Sequence, residues 1–148
     1  MRRLAAGLIV LAAACSDAPA AEAGPIEAVV SFPGAGENLR VEVADSVDEQ
    51  VRGLMGRTEL PPDGGMVFLF DEPILHGFVM RNTLIPLSIA FWAEDGRIVE
   101  IMEMVPCEAE PCSTYTPSGE YVAAVEARAG WFADHGIEEG DRVTLRRT

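Results

Sequence analysis

Residues 87–105, LSIAFWAEDGRIVEIMEMV, decide how this chain folds. Leu87 to Ala93 is apolar but for Ser88, with an aromatic pair. Glu94-Asp95-Gly96 breaks the run, and Arg97 to Val105 resumes it, so the stretch predicts a β-hairpin. Strict alternation in the second strand would put Ile98, Glu100, Met102 and Met104 on one face and Val99, Ile101, Glu103 and Val105 on the other. Both faces are then mixed, which suits a strand with protein on either side near a rim.

Working outward, Ile26 to Phe32 and Leu39 to Val43 read as strands around Pro33-Gly34-Ala35-Gly36. Ser46-Val47-Asp48-Glu49 has capping-box spacing. Val47, Val51, Leu54 and Met55 share one helical stripe, so a helix is predicted over Val47 to Met55, ended by Gly56. Met66 to Phe70 and Ile74 to Met80 are further strand candidates, as is Tyr121 to Ala127. Trp131 to His135 reads as a helical turn closed by Gly136, and Arg142 to Leu145 as the last strand. The pattern predicts a mainly β protein with small α additions: one domain over residues 26–148, a closed or partly open β-barrel of about seven short strands. No internal repeat is visible.

The amino terminus reads differently. Met1-Arg2-Arg3, the apolar run Leu4 to Leu11 and Ala12-Ala13-Ala14 make residues 1–14 a secretory signal peptide. The run is too short for a spanning helix, which needs about 20 apolar residues. Leu11-Ala12-Ala13-Ala14-Cys15 resembles the lipobox of bacterial lipoproteins, although that pattern prefers Leu where Ala12 stands. Cleavage before a lipidated Cys15, with residues 15–25 as an Ala/Pro-rich tether, is preferred over ordinary cleavage after Ala21-Glu22-Ala23. The expectation is an exported, periplasmic protein held to a membrane by its lipid. With Cys15 modified, Cys107 and Cys112 remain to pair as a structural staple; their spacing is not C-x-x-C. The chain carries 24 acidic residues against 11 arginines and no lysine, for a net charge of −13. Nucleic acid is a poor partner for that balance, because phosphate binding needs clustered cations.

Four ordered motifs carry a family resemblance: Gly53-Leu54-Met55-x-Arg57; Gly65-Met66-x-Phe68-x-Phe70; Phe78-Val79-Met80-Arg81-Asn82-Thr83-x-Ile85-Pro86-Leu87; and Ala129-Gly130 with Gly136-Ile137-x-x-Gly140-Asp141. From about Leu39 to Leu145 the chain resembles the domain of unknown function 192 family. The resemblance implies a compact β-rich barrel, commonly exported, and brings no established activity. Two positions depart from the family pattern. Val79 stands where Trp is usual, and Ser88 where an Asp is usual, which removes any carboxylate chemistry centred on that Asp.

Among polar clusters, Arg81-Asn82-Thr83, with Arg52 and Arg57 as possible additions, has the donors to grip a carboxylate or sugar hydroxyls. The plainer reading, preferred here, has Asn82 and Thr83 satisfying their own turn and Arg81 paired with a surface acid. Met102 and Met104, with His76, offer soft ligands for Cu(I), but methionines in a small barrel usually fill its core. No H-E-x-x-H, G-x-S-x-G, phosphate-loop or dinucleotide motif occurs, and no cofactor is expected. Asp134-His135 with Ser113 or Ser118 makes a poor hydrolase dyad, since adjacent residues on a helical turn point apart. Glu100, Glu103 and Glu126 are possible acids for glycoside chemistry.

The leading expectation is therefore a non-catalytic envelope module binding a small ligand or a partner protein through Arg81 to Thr83. The alternative is a hydrolase or transferase acting on an envelope glycan or peptide through carboxylates. Converging carboxylates in a cleft would favour the enzyme, and a shallow apolar surface rimmed by Arg would favour binding.

Overall fold

In the computed structural model, which describes residues 21–148, the hairpin forms as strands β5 (Leu87–Trp92) and β6 (Ile98–Met104). The predicted signal peptide and the predicted lipidation site, Cys15, lie outside the described residues. Pairing runs from Leu87 with Met104 to Phe91 with Glu100, then jumps to Trp92 with Ile98. Val99 is thus an extra residue, a β-bulge, and it corrects the alternation predicted above. Ile98 turns to the face of Ala90 and Trp92, while Met102 and Met104 share the opposite face with Leu87, Ile89 and Phe91.

The remaining strands are β1 (Ala28–Phe32), β2 (Glu37–Ala44), β3 (Gly64–Ile74), β4 (Phe78–Val79), β7 (Thr114–Tyr115), β8 (Tyr121–Arg128) and β9 (Thr144–Arg147). Seven of the nine build one sheet in the order β6-β5-β8-β3-β2-β1-β9. All its pairs are antiparallel except β2 with β3, whose crossover holds helix α1 (Val47–Arg52). At one end the two sheet edges meet. Arg97 bridges Arg142, Ile98 N–H donates to Asp141 O (2.9 Å) and Val143 N–H donates to Gly96 O (2.7 Å). The ladder goes no further between β6 and β9, so the barrel is partly open.

Both faces of the sheet are covered, which is why all six residues of β5 are buried. One face packs Phe32, Trp131 and Phe132 ring to ring at 5.4–5.9 Å, with Trp131 and Phe132 supplied by the short helix α2 (Trp131–Asp134). The other packs Phe68, Phe91, Met104 and Tyr121 beneath Leu54 and Met80. Gly65 permits the close approach of β3 to β8, because a Cβ there would collide with Glu126 O.

Several boundaries differ from the reading of the sequence. Helix α1 starts as predicted, with both hydrogen bonds of the Ser46–Glu49 capping box in place, but ends at Gly53 (φ +46) rather than Gly56. None of its residues is buried, and Val47 and Val51 are 74% and 68% exposed. The predicted strand from Ile74 to Met80 divides. Its start belongs to β3, and only Phe78–Val79 forms a separate ribbon, with β7. The last strand lies two residues later than predicted, because Val143 turns into the core.

Cys107 and Cys112 form a disulfide with Cα atoms 5.4 Å apart. A loop that short gains about 2 kcal/mol from closure on the chain-entropy model. Among the described residues no helix is long and apolar enough to cross a membrane.

Candidate functional site: an apolar groove beside helix α1

The exposed valines of α1 face an open groove of about 360 Å³. Val47, Gln50, Val51 and Met55 form one wall, and His76, Gly77, Val79 and Arg81 form the other. Phe68, Phe70, Phe78 and Tyr121 complete the lining. Three tethers hold the walls. Gln50 Nε2 donates to Leu69 O (2.7 Å), fixing α1 to β3. Tyr121 donates its hydroxyl to His76 O (2.7 Å), fixing the segment that leads into β4. Aromatic edges lock beneath them, Phe68 against Phe78 and Phe91 against Tyr121, each with centroids 4.9 Å apart. Burial pushes the Tyr121 phenol up to about 12, so it is a neutral donor at neutral pH.

Arg81 stands on the rim. Its Nε donates to Glu110 Oε1, and Glu110 Oε2 accepts from Cys112 N (3.1 Å). The pair holds the guanidinium above, and the carboxyl below, their ordinary values, chiefly through that hydrogen bond. Glu110 itself sits between the two disulfide cysteines, and Cys107 N–H donates to Met80 O. The staple thus supports the groove wall that carries Arg81.

The predicted polar cluster does not converge. Asn82 takes a left-handed conformation (φ +56) and its carbonyl accepts from Gly56 N (2.8 Å). Thr83 is buried, its N–H donating to Met80 O. Arg52 and Arg57 line a different recess with Glu27, Glu42 and Glu49, where Arg57 meets Glu42 through two hydrogen bonds of 2.9 and 2.7 Å. Of the five residues nominated from sequence for ligand binding, only Arg81 reaches the groove.

The carboxylates stand apart as well. Glu103 accepts from Ser88 Oγ (2.6 Å) and Gly130 N (3.2 Å), so Ser88, where the family pattern carries an acid, instead hydrogen-bonds one. Glu126 pairs with Ile89 and projects from the opposite face of the sheet. Glu100 accepts from Ser118 N (2.7 Å). Asp134 is bound to Arg128, while His135 stacks on Trp131 at 4.2 Å with Nδ1 on the Trp131 carbonyl. Among the hydrogen bonds of the described residues, neither engages Ser113 or Ser118. Met104 is buried in the core with Met102 partly buried beside it, and His76 is exposed at the groove. Sequence periodicity missed the groove because it shows which residues share a face and not whether anything covers it.

Comparison with known proteins agrees with this architecture. A protein of unknown function from Novosphingobium aromaticivorans DSM 12444 is similar at 37% identity and TM-score 0.71, over 80% of this chain and 83% of that one. A candidate transcription regulator from Sinorhizobium meliloti 1021 is similar at 32% identity and TM-score 0.72, over 80% and 92%. No curated protein matches. The family model of domain of unknown function 192, described as an uncharacterized ACR, matches residues 28–145. The chain belongs to that family.

Proposed function

We propose that the protein is a non-catalytic binding module of the bacterial envelope, tethered through Cys15, whose α1 groove takes a small, largely apolar ligand. One observation carries the reading: two valines more than two-thirds exposed on a helix that buries nothing, facing Val79 across an aromatic-lined groove. Exposed apolar surface that is concave and contiguous is characteristic of binding sites. The groove volume lies at the small-ligand end of the usual range of roughly 300–1,000 Å³. The acids nominated from the sequence, Glu100, Glu103 and Glu126, do not converge in a shared cleft, which favours binding over carboxylate chemistry centred on them. The net charge of −13 favours a ligand other than nucleic acid.

Titration with the neutral dye N-phenyl-1-naphthylamine tests the groove. Saturable fluorescence enhancement is expected, weakened about tenfold by Val51→Ser, since removing a buried valine contact costs roughly 1.5 kcal/mol. Val105→Ser, at a residue 63% exposed outside the groove, should leave the titration unchanged. Equal loss in both variants would sink the assignment. The tether has its own test. Intact mass of the protein from membranes should show a diacylglyceryl-modified chain starting at Cys15, and a mature start at Gly24 would overturn it.

A further inference from the structure

Two side-chain donors inside the groove are already engaged by the protein. Gln50 Nε2 donates to Leu69 O and the Tyr121 hydroxyl donates to His76 O, so both side chains already spend a donor on the protein. Positive charge is brought to the lining by Arg81, which stands at the rim beside His76. Among the described residues no Asp or Glu lines the groove, although the chain has 24 of them. Arg81 is only partly engaged. Glu110 takes its Nε, while Nη1 and Nη2 bond no protein group among the described residues, and more than half of the side chain is exposed.

From this complementarity we propose that the groove binds a single-chain hydrocarbon carboxylate, a free medium-chain fatty acid, with the tail along the apolar lining and the carboxylate on the terminal nitrogens of Arg81. The proposal rests on the groove reading above and adds the headgroup. A guanidinium presents a planar fork that matches a carboxylate. Glu110 acts as the intramolecular competitor. Held by Cys112 N and by the disulfide loop, its carboxylate sits on Nε, leaves Nη1 and Nη2 to the ligand, and competes through its negative charge rather than for the same nitrogens. Because both members of that pair are solvent-exposed, their mutual hold is weak and can be exchanged.

Calorimetric titration of the purified protein with decanoate, decanol and phosphatidylglycerol vesicles separates the possibilities. Decanoate should bind at least tenfold more tightly than decanol. Arg81→Gln should reduce decanoate to the affinity of decanol and leave decanol unchanged, which also reports that the variant is folded. Glu110→Gln should strengthen decanoate binding several-fold. Equal binding of decanoate and decanol would overturn the carboxylate assignment while keeping the groove, and binding of neither would remove both. Vesicle binding without decanoate binding, or concentration-dependent dimerisation that blocks both probes, would likewise overturn it. Weaker decanoate binding by Glu110→Gln would overturn the competitor role.

Discussion

Replacing Glu126 by glutamine should stabilise the fold at pH 8 by on the order of 4 kcal/mol and leave it nearly unchanged at pH 4.5. The carboxyl sits in the middle of the sheet, between Met66 on β3 and Ile89 on β5, and the residue is 5% exposed. Desolvation alone pushes it up to about 8 from the ordinary 4.5. Between those values the folded protein holds a proton that the unfolded chain has released. Stability therefore falls as pH rises through the window, by up to about 1.4 kcal/mol per pH unit, and the whole penalty is present above pH 8. Glutamine keeps the shape and cannot ionise; its amide still pays for desolvation, which trims the gain. Urea midpoints of both proteins from pH 4.5 to 9 check the prediction. A difference between them that does not grow with pH would show that Glu126 is ionised in the folded state and that the burial argument is wrong.

That residue also shows what could be read from the sequence and what could not. Tyr121 to Ala127 is legible as a strand, but a lone Glu in a strand reads as a solvated position. Here the face it shares with Met66 and Ile89 is packed under Leu54 and Met80, a tertiary fact with no local signature. The central hairpin was legible because its turn and its alternation agree. The register beyond Glu100 was not, because the bulge at Val99 inserts one residue without any glycine or proline to announce it. The two-residue ribbon of β4 with β7 is too short to show a period, and it depends on Gly77, where a Cβ would strike Thr114 and Thr116.

The groove failed to appear for a related reason. Ser46 and Glu49 fix the start of α1 by local hydrogen bonds, Gln50 ties it to Leu69 O and Gly53 stops it after six residues, so only Leu54 of the predicted stripe reaches the core while Val47 and Val51 stay outside it. Caps and the Gln50 tether hold the helix, and the valines remain available to a ligand. The cysteines behave in the opposite way. Counting them suggested the staple, and the fold then gives the staple a position, holding Glu110 against Arg81 on the groove wall.

Arg57→Met should destabilise the protein by about 3 kcal/mol, because it leaves the largely buried Glu42 carboxylate without its partner. The sequence groups Arg57 with Arg81 as a possible ligand grip, yet its geometry is that of an internal clasp. Gly53 ends α1, Arg57 N–H donates to Leu54 O (3.2 Å), and Gly56 N–H (φ +76) donates to Asn82 O. These bonds aim the guanidinium back at β2, where both terminal nitrogens meet Glu42 in side chains only 8% and 13% exposed. The clasp joins the α1 connection to the sheet beside Met66. A buried pair of this kind loses far more when one member is removed than when both are replaced by apolar groups, since the larger part of the cost is the uncompensated charge. Arg57→Met combined with Glu42→Leu should therefore recover most of the loss, with a coupling on the order of 2 kcal/mol in a double-mutant cycle of urea unfolding. Binding of dye or decanoate by the folded Arg57→Met protein should remain at the parental level, because Arg57 lines a different recess. A stability loss under about 1 kcal/mol together with weakened ligand binding would reverse the assignment and make Arg57 a binding residue rather than a clasp.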